Sequence, residues 1–138
     1  MSSEWNSVEI SSICSLIKRG ISPKYSENVG LLVINQKCIR DQRLNLEKSR
    51  RNDLSAKQVS DEKYIRMGDV LINSTGVGTL GRVAQVKAIL EPTTVDSHVT
   101  IVRPDPSLVD INYFGWAIRS KESFIESLGE GSTGQTEL

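Results

Sequence analysis

Two glycine-rich stretches and one run of acid, hydroxyl and imidazole carry the residue types that could do chemistry in this sequence. Gly76-Val77-Gly78-Thr79-Leu80-Gly81 follows an apolar run and matches G-x-G-x-x-G, with Asp96 placed 20 residues after Gly76. That is the spacing of a dinucleotide fingerprint, in which backbone N–H groups cradle a pyrophosphate and the acid holds a ribose. The fingerprint needs its acid at the end of a strand, whereas Asp96 precedes the apolar stretch Val99 to Val102. These glycines therefore point to a tight turn that lets a partner approach the backbone closely. Gly129 to Thr136 has the glycines and hydroxyls of a phosphate-binding loop, but glutamine stands where the lysine should be and the stretch follows a helical pattern. Ser132, Thr133 and Gln135 can still offer donors to a nucleic-acid backbone or base edge.

Asp96, Ser97 and His98 are the three members of a hydrolase triad, yet neighbours on a strand point to opposite faces and cannot form the required chain of hydrogen bonds. The only histidine, His98, and the two cysteines, Cys14 and Cys38, lack any zinc-binding spacing. Both cysteines are expected to be small buried hydrophobes in a reducing compartment. No active site and no resident metal or cofactor is expected in this chain.

The elements that must position these residues follow from periodicity and breakers. Trp5, Val8 and Ile10 suggest a short opening strand, after which Ser11 or Ser12 caps a helical turn through Ile13, Leu16 and Ile17 that stops at Gly20. Gly20 to Gly30 is a loop, Leu31 to Ile34 a buried strand, and Asn35-Gln36-Lys37 a polar turn. Residues 41 to 63 lack apolar periodicity and are expected to form an extended surface connection, with one short helix begun at Ser60 or Asp61. Val70 to Ile72 is a strand leading into the glycine loop. Arg82 to Ile89 fits a helical stripe or a returning strand, the strand being favoured by its valines. Val99 to Val102 is a further strand. Asn112 to Leu128 predicts one amphipathic helix with Tyr113, Trp116, Ala117, Phe124 and Leu128 inward.

The 138 residues are about the size of a single hydrophobic core, so residues 1–138 are expected to be one domain. No apolar run reaches the roughly 20 residues that cross a bilayer, and the N-terminus has no signal-peptide pattern, so a cytoplasmic location is expected. The formal charge is zero but unevenly spread: 12 of the 17 Lys and Arg, against 8 of the 17 acids, lie at or before Arg66. The densest basic stretch, Lys37, Arg40, Arg43, Lys48, Arg50, Arg51 and Lys57, could present cations to phosphates if folding gathers them.

Three segments taken in series carry a family resemblance: Gly68-Asp-Val-Leu-Ile-Asn-Ser-Thr-Gly-Val-Gly-Thr-Leu-Gly-Arg82, Val95-Asp-Ser-His-Val-Thr-Ile-Val-Arg-Pro104 and Gly131-Ser-Thr-Gly-Gln-Thr-Glu-Leu138. With Trp5, the glycine at 20 and Asn35-Gln36-Lys37, the chain resembles the target-recognition domain of a type I restriction-modification specificity subunit. The resemblance implies an α+β fold, a curved, irregular β-strand assembly with flanking helices. It also implies a noncatalytic reader of double-stranded DNA that recognises one half of a bipartite site. The partners it implies are methyltransferase subunits, which methylate adenine using S-adenosylmethionine, and restriction subunits, which use ATP and Mg to cleave unmodified DNA. The sequence stops where that family continues into a long spacer helix, so it is expected to be a fragment or half-subunit.

On residue chemistry, Asn35, Gln36 and Asn73 can make paired hydrogen bonds to adenine, Arg40 or Arg82 can bridge guanine N7 and O6, and Lys24, Lys37, Arg50 and Arg51 suit phosphates. Ser74, Thr75, Ser132, Thr133 and Gln135 complete the candidate DNA-binding set, with Arg82 equally suited to bracing its loop. A protein-interaction module, or the recognition domain of a fused restriction-methylation enzyme, is the alternative.

Overall fold

The computed structural model describes residues 9–128. In chain order these form α1 (Ile10–Ile13), β1 (Cys14–Arg19), β2 (Tyr25–Ser26), β3 (Leu31–Ile34), β4 (Ile39–Arg40), β5 (Arg43–Leu44), β6 (Arg50–Asn52), β7 (Val70–Asn73), β8 (Val83–Gln85), β9 (Thr93–Val95), β10 (Val99–Pro104), α2 (Ile111–Ser120) and α3 (Glu122–Leu128), with 3-10 turns at Gln36–Cys38, Leu46–Lys48 and Asp61–Lys63. The fold is α+β. One antiparallel sheet has the order β1-β10-β7-β8, a second has the order β2-β6-β3-β9, and β4 and β5 form a separate hairpin.

The first sheet is apolar on both faces, and strand alternation divides its residues between two cores. Leu16, Leu71, Ala84, Val99 and Ile101 face the main core with Ile34, Cys38, Ile39, Ile65 and Val95, while Val70, Val83 and Val102 face Phe114 and Ile118 of α2. Each fully buried aliphatic side chain contributes roughly 1.5–3 kcal/mol of burial free energy. Asp110 caps α2 by accepting from the Tyr113 N–H at 2.7 Å. Gly115 lets the helix settle on β8, since a Cβ there would lie 2.0 Å from Gln85 Oε1. Within this sheet, Arg103 of β10 is buried and grips Asp69 through Nε and Nη2, each at 2.9 Å.

The expected strands at Leu31–Ile34, Val70–Ile72 and Val99–Val102 are present, and the valine-rich segment after Arg82 returns antiparallel to β7. The short helix is the 3-10 turn preceded by Ser60. Other expectations are corrected, among them the loop over Gly20 to Gly30, which contains β2. The helical turn ends at Ile13, and Cys14–Arg19 is a strand because the unpaired edge of β10 takes its backbone hydrogen bonds. Of the opening strand, Trp5 and Val8 lie outside the described residues, and Ile10 begins α1.

Residues 41–63 are not a plain surface connection. Arg50–Asn52 pairs with both β2 and β3, and the buried Asn52 side chain accepts from the Lys24 N–H and donates to the Lys57 carbonyl, both at 2.9 Å. Backbone pairing and one buried amide build this strand without apolar alternation. The single C-terminal helix is two helices that break at Lys121, and its buried face is Phe114, Gly115 and Ile118, with Ile125 packed against them. Tyr113, Trp116, Phe124 and Leu128 face solvent at 54–60% exposure. Two stripes at helical spacing competed, and the one whose glycine allows close approach to β8 won. Thr93–Val95, not expected as a strand, pairs parallel with β3.

Candidate nucleic-acid interface

The loop between β7 and β8 closes on itself through its own backbone. The Asn73 N–H donates to the Arg82 carbonyl at 2.9 Å, Gly81 N–H to the Asn73 carbonyl at 2.8 Å, and Leu80 N–H to the Gly76 carbonyl at 3.0 Å. Gly76 and Gly78 have φ of 107° and 79°, values open to glycine at little cost. The G-x-G-x-x-G run thus joins two antiparallel neighbours and leads into a strand, so it is a turn and lacks the following helix of a dinucleotide fold.

Buried side chains tie this turn to the segment that follows β3. Asn73 is fully buried, and its Nδ2 donates to the Gln36 carbonyl at 3.0 Å and the Thr79 carbonyl at 3.1 Å. Arg82 Nη1 donates to the Ile39 carbonyl at 3.4 Å. The Gln36 amide abuts Gly76, where a Cβ would stand 3.0 Å from its Nε2. Thr75 Oγ1 is 2.6 Å from His98 Nδ1, and the buried Ser74 hydroxyl bonds Thr100 Oγ1. Gln36, Thr75, Gly76 and His98 therefore meet in one place, contributed by three separate stretches of chain.

The basic segment is a small unit built around the hairpin. Asn35 caps the first 3-10 turn by accepting from Lys37 N–H at 2.9 Å, and its Nδ2 reaches the Lys48 carbonyl at 2.8 Å. Ile39 pairs with Leu44 on the core side, so Arg40 and Arg43, the other pair, face each other across the outer side. The turn residues between them, Asp41 and Gln42, both have positive φ, 54° and 60°, as a two-residue hairpin turn that follows the strand twist demands. Like charges directly opposite in a hairpin are destabilising. Neither arginine, nor Lys37 or Lys48, has an ion pair among the described residues.

The other predicted residues separate into distinct environments. Lys24 is exposed at the far sheet. Arg50 lies over the Tyr25 ring, 3.6 Å from its centroid. Arg51 is held by Glu91 at 2.7 Å and donates to the Gly30 carbonyl, so its charge is already matched; the bond to Glu91 pushes its pKa further up and that of Glu91 down. Ser132, Thr133 and Gln135 lie outside the described residues. Asn73 Nδ2, the Ser74 hydroxyl and Arg82 Nη1 bond within the fold and brace it, and the Asn35 side chain caps a turn.

Near this cluster the buried Asp96 accepts from the His98 N–H at 2.9 Å, while burial pushes its carboxyl above the ordinary range. Among the described residues two amide oxygens, Gln36 Oε1 and Asn73 Oδ1, are buried without a partner. Burial raises the thiol of Cys14 to about 11 and that of Cys38 above its usual value; Cys38 is buried as expected, whereas Cys14 is only half-buried. Sequence reasoning named Arg43 and Lys48 as basic residues but not as members of the site. The two-residue hairpin that places Arg43 opposite Arg40 carries no Asn-Gly signal to reveal it.

No protein-family model and no curated protein matches this sequence. Among solved structures, the fold is similar to that of the HsdS subunit from Thermoanaerobacter tengcongensis, with a TM-score of 0.63 and 19% identity over 95% of this chain. The matched region is 31% of that structure, so this chain spans about a third of its length. Among the described residues, no helix is long and apolar enough to cross a membrane.

Proposed function

We propose that this chain reads double-stranded DNA as the target-recognition domain of a type I restriction-modification specificity subunit, contacting one half of a bipartite target. The observation that carries the reading is the Arg40–Arg43 pair: two guanidiniums without an ion pair among the described residues, paired across a hairpin that follows the Asn35 cap joining Lys37 and Lys48 and that is tied to the glycine turn through Ile39. A phosphate backbone supplies the missing anion. The fold shared with an HsdS subunit supports the same reading. In it the chain is noncatalytic and cytoplasmic, and S-adenosylmethionine, ATP and Mg belong to methyltransferase and restriction subunits that assemble around it. Lys37, Arg40, Arg43 and Lys48 grip phosphates, with Lys24 and Arg50 as outlying contacts, while Gln36 and Thr75 stand nearest the bases.

A protein-interaction module is the second reading, favoured by the outward Tyr113 and Trp116, whose rings lie 5.9 Å apart. Selection from a random duplex pool followed by salt titration separates the two. A DNA reader enriches a defined sequence, and Lys37→Ala, Arg40→Ala and Arg43→Ala each lower the slope of log affinity against log salt by about 0.9. A chain that enriches no sequence is not such a reader.

A further inference from the structure

Val77 contributes nothing to the turn that carries it. Its side chain is 87% exposed, while Asn73, Thr75, Thr79 and Arg82 around it all spend polar groups closing the loop or tying it to the hairpin. It stands between two glycines in the left-handed region, and a Cβ added at Gly78 would meet nothing within 4 Å. The fold thus holds an apolar side chain clear of the protein on a turn closed by its own backbone, next in the chain to Gly76, against which the Gln36 amide packs.

We propose that Val77 reads DNA directly, by packing against the C5 methyl group of a thymine in the major groove. The proposal rests on the DNA-reading function above and adds a base-specific contact to it. A valine side chain cannot hydrogen-bond, and thymine is the one base that presents an apolar group on its major-groove edge. A β-branched side chain has little rotamer freedom to lose on contact. The flanking glycines keep side-chain bulk away from the tip, so the backbone can enter the groove with it. Minor-groove wedges are larger residues that work with arginine or lysine, whereas valine is short and residues 74–81 contain no cation.

The test starts from the duplex that selection enriches. Each thymine is replaced in turn by deoxyuridine, which removes only the methyl group. At one thymine the wild-type protein should lose about fourfold in affinity, the worth of one methyl taken from water. Val77→Ala should lose about as much on the unmodified duplex, and the two changes together no more than either alone. Val77→Ser, which also removes the apolar contact, should behave like Val77→Ala, and both variants should melt with the wild type. Deoxyuridine penalties that are the same in wild type and variants at every thymine, or absent throughout, overturn the role of Val77 and leave DNA reading standing. Failure of the selection to enrich any sequence overturns DNA reading, and the role of Val77 with it.

Discussion

The side chain of Asn73 donates to the backbone carbonyl of Gln36 at 3.0 Å, so a residue at the end of one strand holds the turn that follows another. The same NH₂ group reaches the Thr79 carbonyl at 3.1 Å, which makes Asn73 the joint between the glycine turn and the basic unit. Asn73→Ala leaves both carbonyls short of a donor in a buried place. It should destabilise the fold by about 1–3 kcal/mol for each, measured by urea denaturation. Stability within about 0.5 kcal/mol of wild type would show that the two segments are held by other contacts.

Gln36 combines a buried, unpartnered Oε1 with a position against the glycine turn. An orphaned acceptor costs stability, and turning the amide outward to a base relieves that cost. Gln36→Leu should therefore raise the unfolding free energy by about 1 kcal/mol while relaxing sequence preference at one base pair of the selected site. A variant that loses stability and keeps full sequence preference assigns Gln36 to packing alone.

The predicted phosphate set divides by partner. Arg51 is already matched by Glu91, whereas Lys37 has no ion pair among the described residues. Arg51→Ala should leave the salt dependence of DNA affinity unchanged and lower stability only slightly, since the pair is partly exposed. Lys37→Ala should do the reverse. Fluorescence anisotropy over a salt series checks both, and equal slopes for the two variants would contradict the division.

Asp96 gives the fold a pH dependence of known sign. Burial raises its carboxyl pKa above the ordinary 3.8, so ionisation costs more in the folded chain than in the unfolded one. Its contribution is fully present below the unfolded value and is lost as pH rises through the raised folded value. Asp96→Asn keeps an acceptor for the His98 N–H without the charge. It should raise Tm by a few degrees at neutral pH and lose that advantage below about pH 4. Thermal melts across pH decide, and an advantage that persists unchanged in acid would exclude the carboxylate as its origin.

Those strands are legible in the sequence whose own side chains are buried. Val70, Leu71 and Ile101 announce themselves because a sheet with cores on both faces needs consecutive aliphatic residues. Arg50–Asn52 and Cys14–Arg19 do not, because their pairing is a property of partners distant in sequence and their side chains are mostly polar. On the helix, Tyr113 and Trp116 offer a larger apolar stripe than Phe114 and Ile118, yet they face solvent. Burial followed the stripe that could approach Gln85 through Gly115. At the candidate site, residue type locates the chemistry, but only the fold distinguishes Asn73, whose NH₂ bonds two backbone carbonyls, from Gln36, whose amide lies against the glycine turn.

The pairing of β1 with β10 has a consequence for how the chain comes to be folded. The earliest described strand bonds along its length to the last one, and β3 waits for β9 in the same way. Contacts between such distant segments require closing most of the chain into a loop before any of them is formed, which slows folding relative to a protein of local contacts. During synthesis, β1 leaves the ribosome with its backbone groups unpaired and stays so until β10 follows. The glycine turn joining β7 to β8 is a local hairpin and can form early, ahead of β10 and β1, which add on its β7 side.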